Sequence, residues 1–119
     1  MKIFRFDRGV AHHIAQFESS FEHQFLAIAR GGEVRISIMY LGAGDRVGRH
    51  EARIAQLFAV VQGNGRVEAA GARTPIASGR AAFWGAGESH AAGTDTGMVA
   101  IVVEGNSLGP DAALAQMVD

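Results

Sequence analysis

The sequence predicts an all-β protein, a sandwich or a barrel, on three observations. Sixteen glycines stand against two prolines and are spread between short apolar segments. Turn signals at such intervals separate many short strands. Glu33 to Leu41 alternates: Val34, Ile36, Ile38 and Tyr40 take one face of a strand, and Arg35, Ser37, Met39 and Leu41 take the other. A chain of 119 residues that is 48% hydrophobic suits one globular domain spanning residues 1–119, with no linker or low-complexity tract inside it.

The elements follow in order. Ile3, Phe4 and Phe6 suggest a short N-terminal strand. The stretch from Val10 to Glu22 buries something through its phenylalanines and Ile14, but has no clean period. Gln24 to Ala29 is read as a strand and Glu33 to Leu41 as the next, without deciding whether Met39 or Tyr40 faces inward. Ile54 to Gln62 is a third, followed by Gly63-Asn64-Gly65, which reads as a hairpin turn because glycine and asparagine tolerate positive φ. Arg66 to Ala70 is then the return strand. Ala81–Trp84 and Glu88–Ala92 flank a turn at Gly85-Ala86-Gly87, and Gly97–Glu104 forms the last strand. Pro110 is placed to start a short C-terminal helix over Ala112–Val118, with Asp111 in its first turn.

Composition excludes several classes of function. Eleven Lys and Arg against twelve Asp and Glu leave a net charge of −1. No basic stripe is available for phosphates, which argues against nucleic acid as a partner. Cysteine is absent, so disulfides, thiolate metal sites and cysteine nucleophiles are excluded. Charges interrupt the first residues, so no secretory h-region is seen, and the longest apolar run, Met98–Val103, is too short for a membrane span. A soluble cytoplasmic protein is the expectation. Leu57–Val61 and Met98–Val103 are apolar on both parities, so both sides of these strands should be covered. One side is the barrel interior. The other is expected to meet a second copy in a two-fold homodimer, with packing inside one chain as the alternative.

One set of spacings goes further. Gly44 is followed at fixed intervals by His50, Ala52, Gln56 and Gly63, and Gly79 by Gly85, Gly87, His90 and Thr94. This pattern resembles the two motifs of the cupin superfamily, and in particular small single-domain bacterial cupins. The resemblance implies a double-stranded β-helix, or jelly-roll, barrel. The family has His, His and Glu where this chain has His50, Ala52 and Gln56. It has Pro, Gly, His and Asn where this chain has Gly85, Gly87, His90 and Thr94. In the family, three His and one Glu hold Mn, Fe, Ni, Cu or Zn and leave positions open for substrate.

The residues themselves give a reason for the spacing. Positions 50, 52 and 56 share parity on an extended chain, and His90 comes from a neighbouring strand, so two imidazoles converge as natural metal ligands. Ala52 cannot ligate, and Gln56 offers only a neutral carbonyl oxygen. His50, Gln56 and His90 are thus the candidate metal site, with Glu88 as a carboxylate on His90's parity that offsets the missing charge. Phe58, on Gln56's parity, and Trp84 are expected to line the cavity with Glu88. His12, His13 and His23 read as exposed or interface histidines, and Arg66 and Arg80 as surface residues. Two functions remain open: a small-molecule-binding cupin, metal-bound or metal-free, and a metal-dependent oxygenase or isomerase with a reduced ligand set. There is no G-x-S-x-G elbow, P-loop or G-x-G-x-x-G fingerprint.

Overall fold

The computed structural model describes residues 1–29, 31–110 and 113–117. Among them run nine strands: β1 (His12–Ile14), β2 (Phe21–Ile28), β3 (Val34–Leu41), β4 (Arg46–Glu51), β5 (Gln56–Ala69), β6 (Ala72–Ala77), β7 (Ala81–Trp84), β8 (Ser89–Gly93) and β9 (Met98–Gly105). All pairings between them are antiparallel. One sheet has the order β1-β2-β3-β9-β5-β7, and the other has β4-β8-β5-β6. Strand β5 serves both, its first half in one sheet and its second half in the other. A backbone bridge between Ser20 and Arg46 ties the opposite side of the two sheets together. The result is a jelly-roll barrel: all-β, as the glycine distribution predicts, and of the type that the cupin resemblance implies.

The core lies between the sheets. Phe21, Met39, Leu41, Phe58, Val60, Trp84, Met98, Ala100 and Val102 from one sheet meet Val47, Val67, Ile76 and Ala92 from the other. These are alternate residues of their strands, as a pleated strand with one inward face requires. Met39 therefore faces in, and Tyr40 faces out, where its hydroxyl donates to the Phe6 carbonyl.

Strand β5 departs from the predicted hairpin. The chain does not reverse at Gly63-Asn64-Gly65; it bends and continues, pairing Gly63 with Met98 and then Asn64 with Ala77. The glycines serve close approach: a Cβ at Gly63 would lie 2.2 Å from the Gly97 carbonyl oxygen, and one at Gly65 2.2 Å from that of Gly93. The reversal comes at Ala70 and Gly71, with φ of 47° and 80°. Two positive-φ residues between the paired Ala69 and Ala72 are what a two-residue type I′ hairpin needs.

Other boundaries also move. The N-terminal strand expected at Ile3–Phe6 is irregular and exposed. The expected helix over 112–118 falls partly outside the described residues. Among 113–117 there is one turn, with the Ala113 and Leu114 amides donating to the Pro110 carbonyl, and no helix. No helix among the described residues is long and apolar enough to cross a membrane.

The outer face of the larger sheet is apolar. Ile36, Val103, Leu57 and Phe83 form one cross-strand row, and Ile38, Ile101, Ala59 and Ala81 form the next. Among the described residues, Leu108–Pro110 sit beside Leu57, Phe83 and Val103 at one corner, and the N-terminal segment meets Tyr40 at another.

Candidate functional site

His50 and His90 lie on paired strands and are direct cross-strand partners. A register shift in β4 between Val47 and His50 re-aims the end of that strand. The two imidazole centroids are 4.4 Å apart. The Nδ1 of His50 lies 2.7 Å from the Gly48 carbonyl oxygen, and that of His90 lies 3.3 Å from the Glu88 carbonyl oxygen. A carbonyl only accepts, so each Nδ1 carries a proton, and in the neutral ring this leaves Nε2 as the acceptor. Both rings line a cavity of about 230 Å³ inside the barrel.

Ring stacking holds this pair in place. Phe17 stacks on His50 at 4.8 Å with planes 7° apart, Trp84 stacks on His90 at 4.4 Å and 27°, and Phe58 packs against Trp84 at 5.9 Å. Five rings thus form a column, Phe17–His50–His90–Trp84–Phe58. Its faces are largely spent on one another, which leaves ring edges to the cavity. Phe17 reaches its place through left-handed backbone at Phe17 and Glu18, with φ of 57° and 61°. Gly48 makes room beneath: a Cβ there would lie 1.6 Å from the Phe17 carbonyl oxygen. The Gly48 amide donates to the buried Ser19 hydroxyl at 2.8 Å.

Burial pushes the His90 imidazole below the ordinary histidine pKa. The Glu88 carbonyl opposes that shift, while nearby His50 adds to it. His23 is lowered as well, by burial first and then by His12.

The predicted site residues fall into two groups. His50, Gln56, Phe58, Trp84 and His90 all line the one cavity. They do so by a different route from the one expected, since β4 ends at Glu51 and Gln56 begins β5 in the facing sheet. Glu88 is not on the cavity wall. Its carboxylate accepts from the Gly85 amide at 3.0 Å and so closes the turn that delivers His90. A side chain two residues from His90 shares its face only within one regular strand, and Glu88 lies in the turn before β8.

Four polar residues join the wall unexpectedly, Gln16, Ser19, His23 and Glu104, of which the last two are titratable. His23 shares parity with the buried Phe21 in β2. A strand started at Phe21 rather than Gln24 points it inward. Glu104 shares parity with the buried Ala100 and Val102 of β9, and is the cross-strand partner of Gln56, whose other partner is Trp84. Alternation carries that signal too, at the end of a run otherwise read as apolar on both faces. His12 and His13 are exposed as expected, whereas Arg66, expected at the surface, is half-buried with an unpartnered Nε. His13 pairs with Glu22 at 2.8 Å on the surface, and Arg66 lies 3.6 Å from Asp95.

Many solved structures share this architecture. A cupin-like protein from Thermotoga maritima superposes with a TM-score of 0.75 at 19% identity, over 85% of this chain and 80% of that one. The chain has the cupin fold. A Cupin 2 conserved barrel domain protein from Salinispora arenicola matches 90% of each chain at 18% identity with a TM-score of 0.73. A predicted oxalate decarboxylase from Thermotoga maritima matches at 22% identity and a TM-score of 0.69, over 84% of this chain and 96% of that one. No family model and no curated protein sequence matches the chain.

A cupin barrel implies a metal, and the donor set here fits one only in part. Two imidazoles with Nε2 free to ligate are present, each held by a carbonyl at Nδ1, as ligating histidines are. Ala52, buried in the β4–β5 connection, supplies nothing, and Gln56 supplies a neutral carboxamide. Among the described residues no three His, Cys, Asp or Glu side chains converge on one point.

Proposed function

We propose that this cupin binds a small molecule in the barrel cavity, gripped between the His50–His90 pair and Gln56. One observation carries the reading: two buried or half-buried imidazoles meet on the cavity wall with both Nδ1 protons committed to backbone carbonyls, which leaves their Nε2 edges for a ligand. Preorganised polar groups inside an aromatic wall are the usual make-up of a ligand site. The cavity, about 230 Å³, is below the range of about 300–1,000 Å³ typical of drug-sized ligands, so the ligand is a small metabolite. Native mass spectrometry of gently purified protein, followed by metabolite identification, tests this. A small molecule retained by the wild type and lost from His50→Ala and His90→Ala is the expected result. Retention by both variants contradicts it.

The same two Nε2 atoms favour a second reading, a metal-dependent enzyme. A bound divalent Mn, Fe, Ni, Cu or Zn would supply Lewis-acid or redox chemistry, and His50, His90 and Gln56 would hold it. A solved structure of this fold is described as a predicted oxalate decarboxylase, which keeps an enzymatic role in view. Elemental analysis of untagged protein separates the readings: near-stoichiometric metal, lost from His90→Ala, selects the enzyme. The apolar outer face supports a further element of the proposal, that the chain works as a homodimer joined through this face.

A further inference from the structure

The cavity wall carries one formal charge, and it is negative. Among the described lining residues there is no Lys, Arg or Asp; Glu104 is the only carboxylate. Among the described residues no basic group lies within 4 Å of it. Arg35, its cross-strand neighbour, is on the same face by parity and keeps a buried, unpartnered Nε, yet neither pairs with Glu104 within 4 Å nor lines the cavity. The Nε2 atoms of His50 and His90 accept, as argued above. An anionic ligand would therefore meet a carboxylate on a wall with no lining Lys or Arg among the described residues. A ligand bearing N–H donors and positive charge meets the complementary wall.

Placement makes this specific. Glu104, Gln56 and Trp84 form one cross-strand row on the inner face, and Trp84 stacks on His90. The carboxylate thus stands two strands from the indole, on the wall that faces the imidazoles across the cavity. A carboxylate facing hydrogen-bond acceptors is what holds an organic ammonium.

Building on the cavity reading above, we infer that the ligand class is a small organic amine, its ammonium held by Glu104 and the acceptor edges of His50 and His90. Glu104 is the residue that sets the preference for charge. The test uses three probes of similar shape, namely benzylamine, benzyl alcohol and benzoate. Binding is read from the indole N–H resonance of Trp84, the one tryptophan in the chain. Benzylamine is expected to shift this resonance saturably, with an affinity at least tenfold above the other two. Glu104→Gln should weaken benzylamine about tenfold and leave benzyl alcohol unchanged, with the remainder of the spectrum preserved. Benzoate or benzyl alcohol binding as tightly as benzylamine overturns the amine assignment and leaves the cavity reading standing. The same holds if Glu104→Gln binds benzylamine like the wild type. No shift from any probe on the wild-type protein removes the amine assignment and the cavity reading together. The wild-type series decides the outcome even if the variant folds poorly.

Discussion

Gly48 and Phe17 show how much of the site rests on single residues. Phe17 pays for its left-handed backbone by stacking on His50, and the missing Cβ at Gly48 is what lets its carbonyl come so close. Gly48→Ala should overpack this contact, costing about 1–3 kcal/mol in urea unfolding and displacing the His50 ring. An unchanged midpoint would show that Phe17 does not clamp the histidine. A pH dependence belongs to the same scale. His23 and His90 have folded pKa values below that of the unfolded chain, about 6.5. Below that value the unfolded chain binds more protons, so stability rises with pH in this window. It is fully present above about pH 6.5 and lost as pH falls through the lowered folded values. Thermal melts from pH 8 downward should show this fall, and His23→Gln should flatten it. A melting temperature that climbs on acidification would contradict the assignment. The His50–His90 pair was legible in the sequence because glycine-bracketed spacing fixes which strand ends meet. Glu104 and His23 were not, because a polar residue at a strand end faces in or out according to where the strand starts, and alternation does not fix the start.

At the scale of elements, β5 and its partner Thr94 carry the lesson. The bend at residues 63–65 is pinned from the side: the Thr94 hydroxyl donates to the Asn64 carbonyl at 2.6 Å and accepts from the Gly97 amide at 2.9 Å. Thr94 is nearly fully buried, so neither bond is replaced by bulk water. Thr94→Val keeps the shape and removes both bonds. The expected loss is about 1–3 kcal/mol, read from urea unfolding. A loss under a few tenths would mean that the glycines alone set the bend. The apolar runs and alternation made β3, β7 and β9 readable, since burial on one or both faces writes itself into parity. The continuation of β5 was hidden because Gly-Asn-Gly serves a tight reversal and a close crossing equally well. Only the tertiary neighbours, Gly93 and Gly97, tell the two uses apart.

The whole molecule presents two contrasting sheets. The outer face of the smaller one mixes signs: Arg66 faces Asp95, and Arg49 pairs with Glu68 at 3.0 Å. That of the larger one repeats Ile, Val, Leu and Phe across four strands, as in the Ile36–Val103–Leu57–Phe83 row. A contiguous apolar sheet face of this kind marks an interaction surface in a soluble chain. Because a sheet face can pack on its own copy about a two-fold axis, the isologous dimer is the simplest way to cover it. Light scattering during size exclusion should therefore report twice the 12.5 kDa chain mass at micromolar concentration. Ile101 lies in the middle of the face and points away from the cavity, so Ile101→Lys should halve that mass while the Trp84 indole resonance stays in place. A wild-type mass of one chain would mean that the face is left open to solvent or serves a different partner. Full dimerisation of Ile101→Lys would place the interface elsewhere.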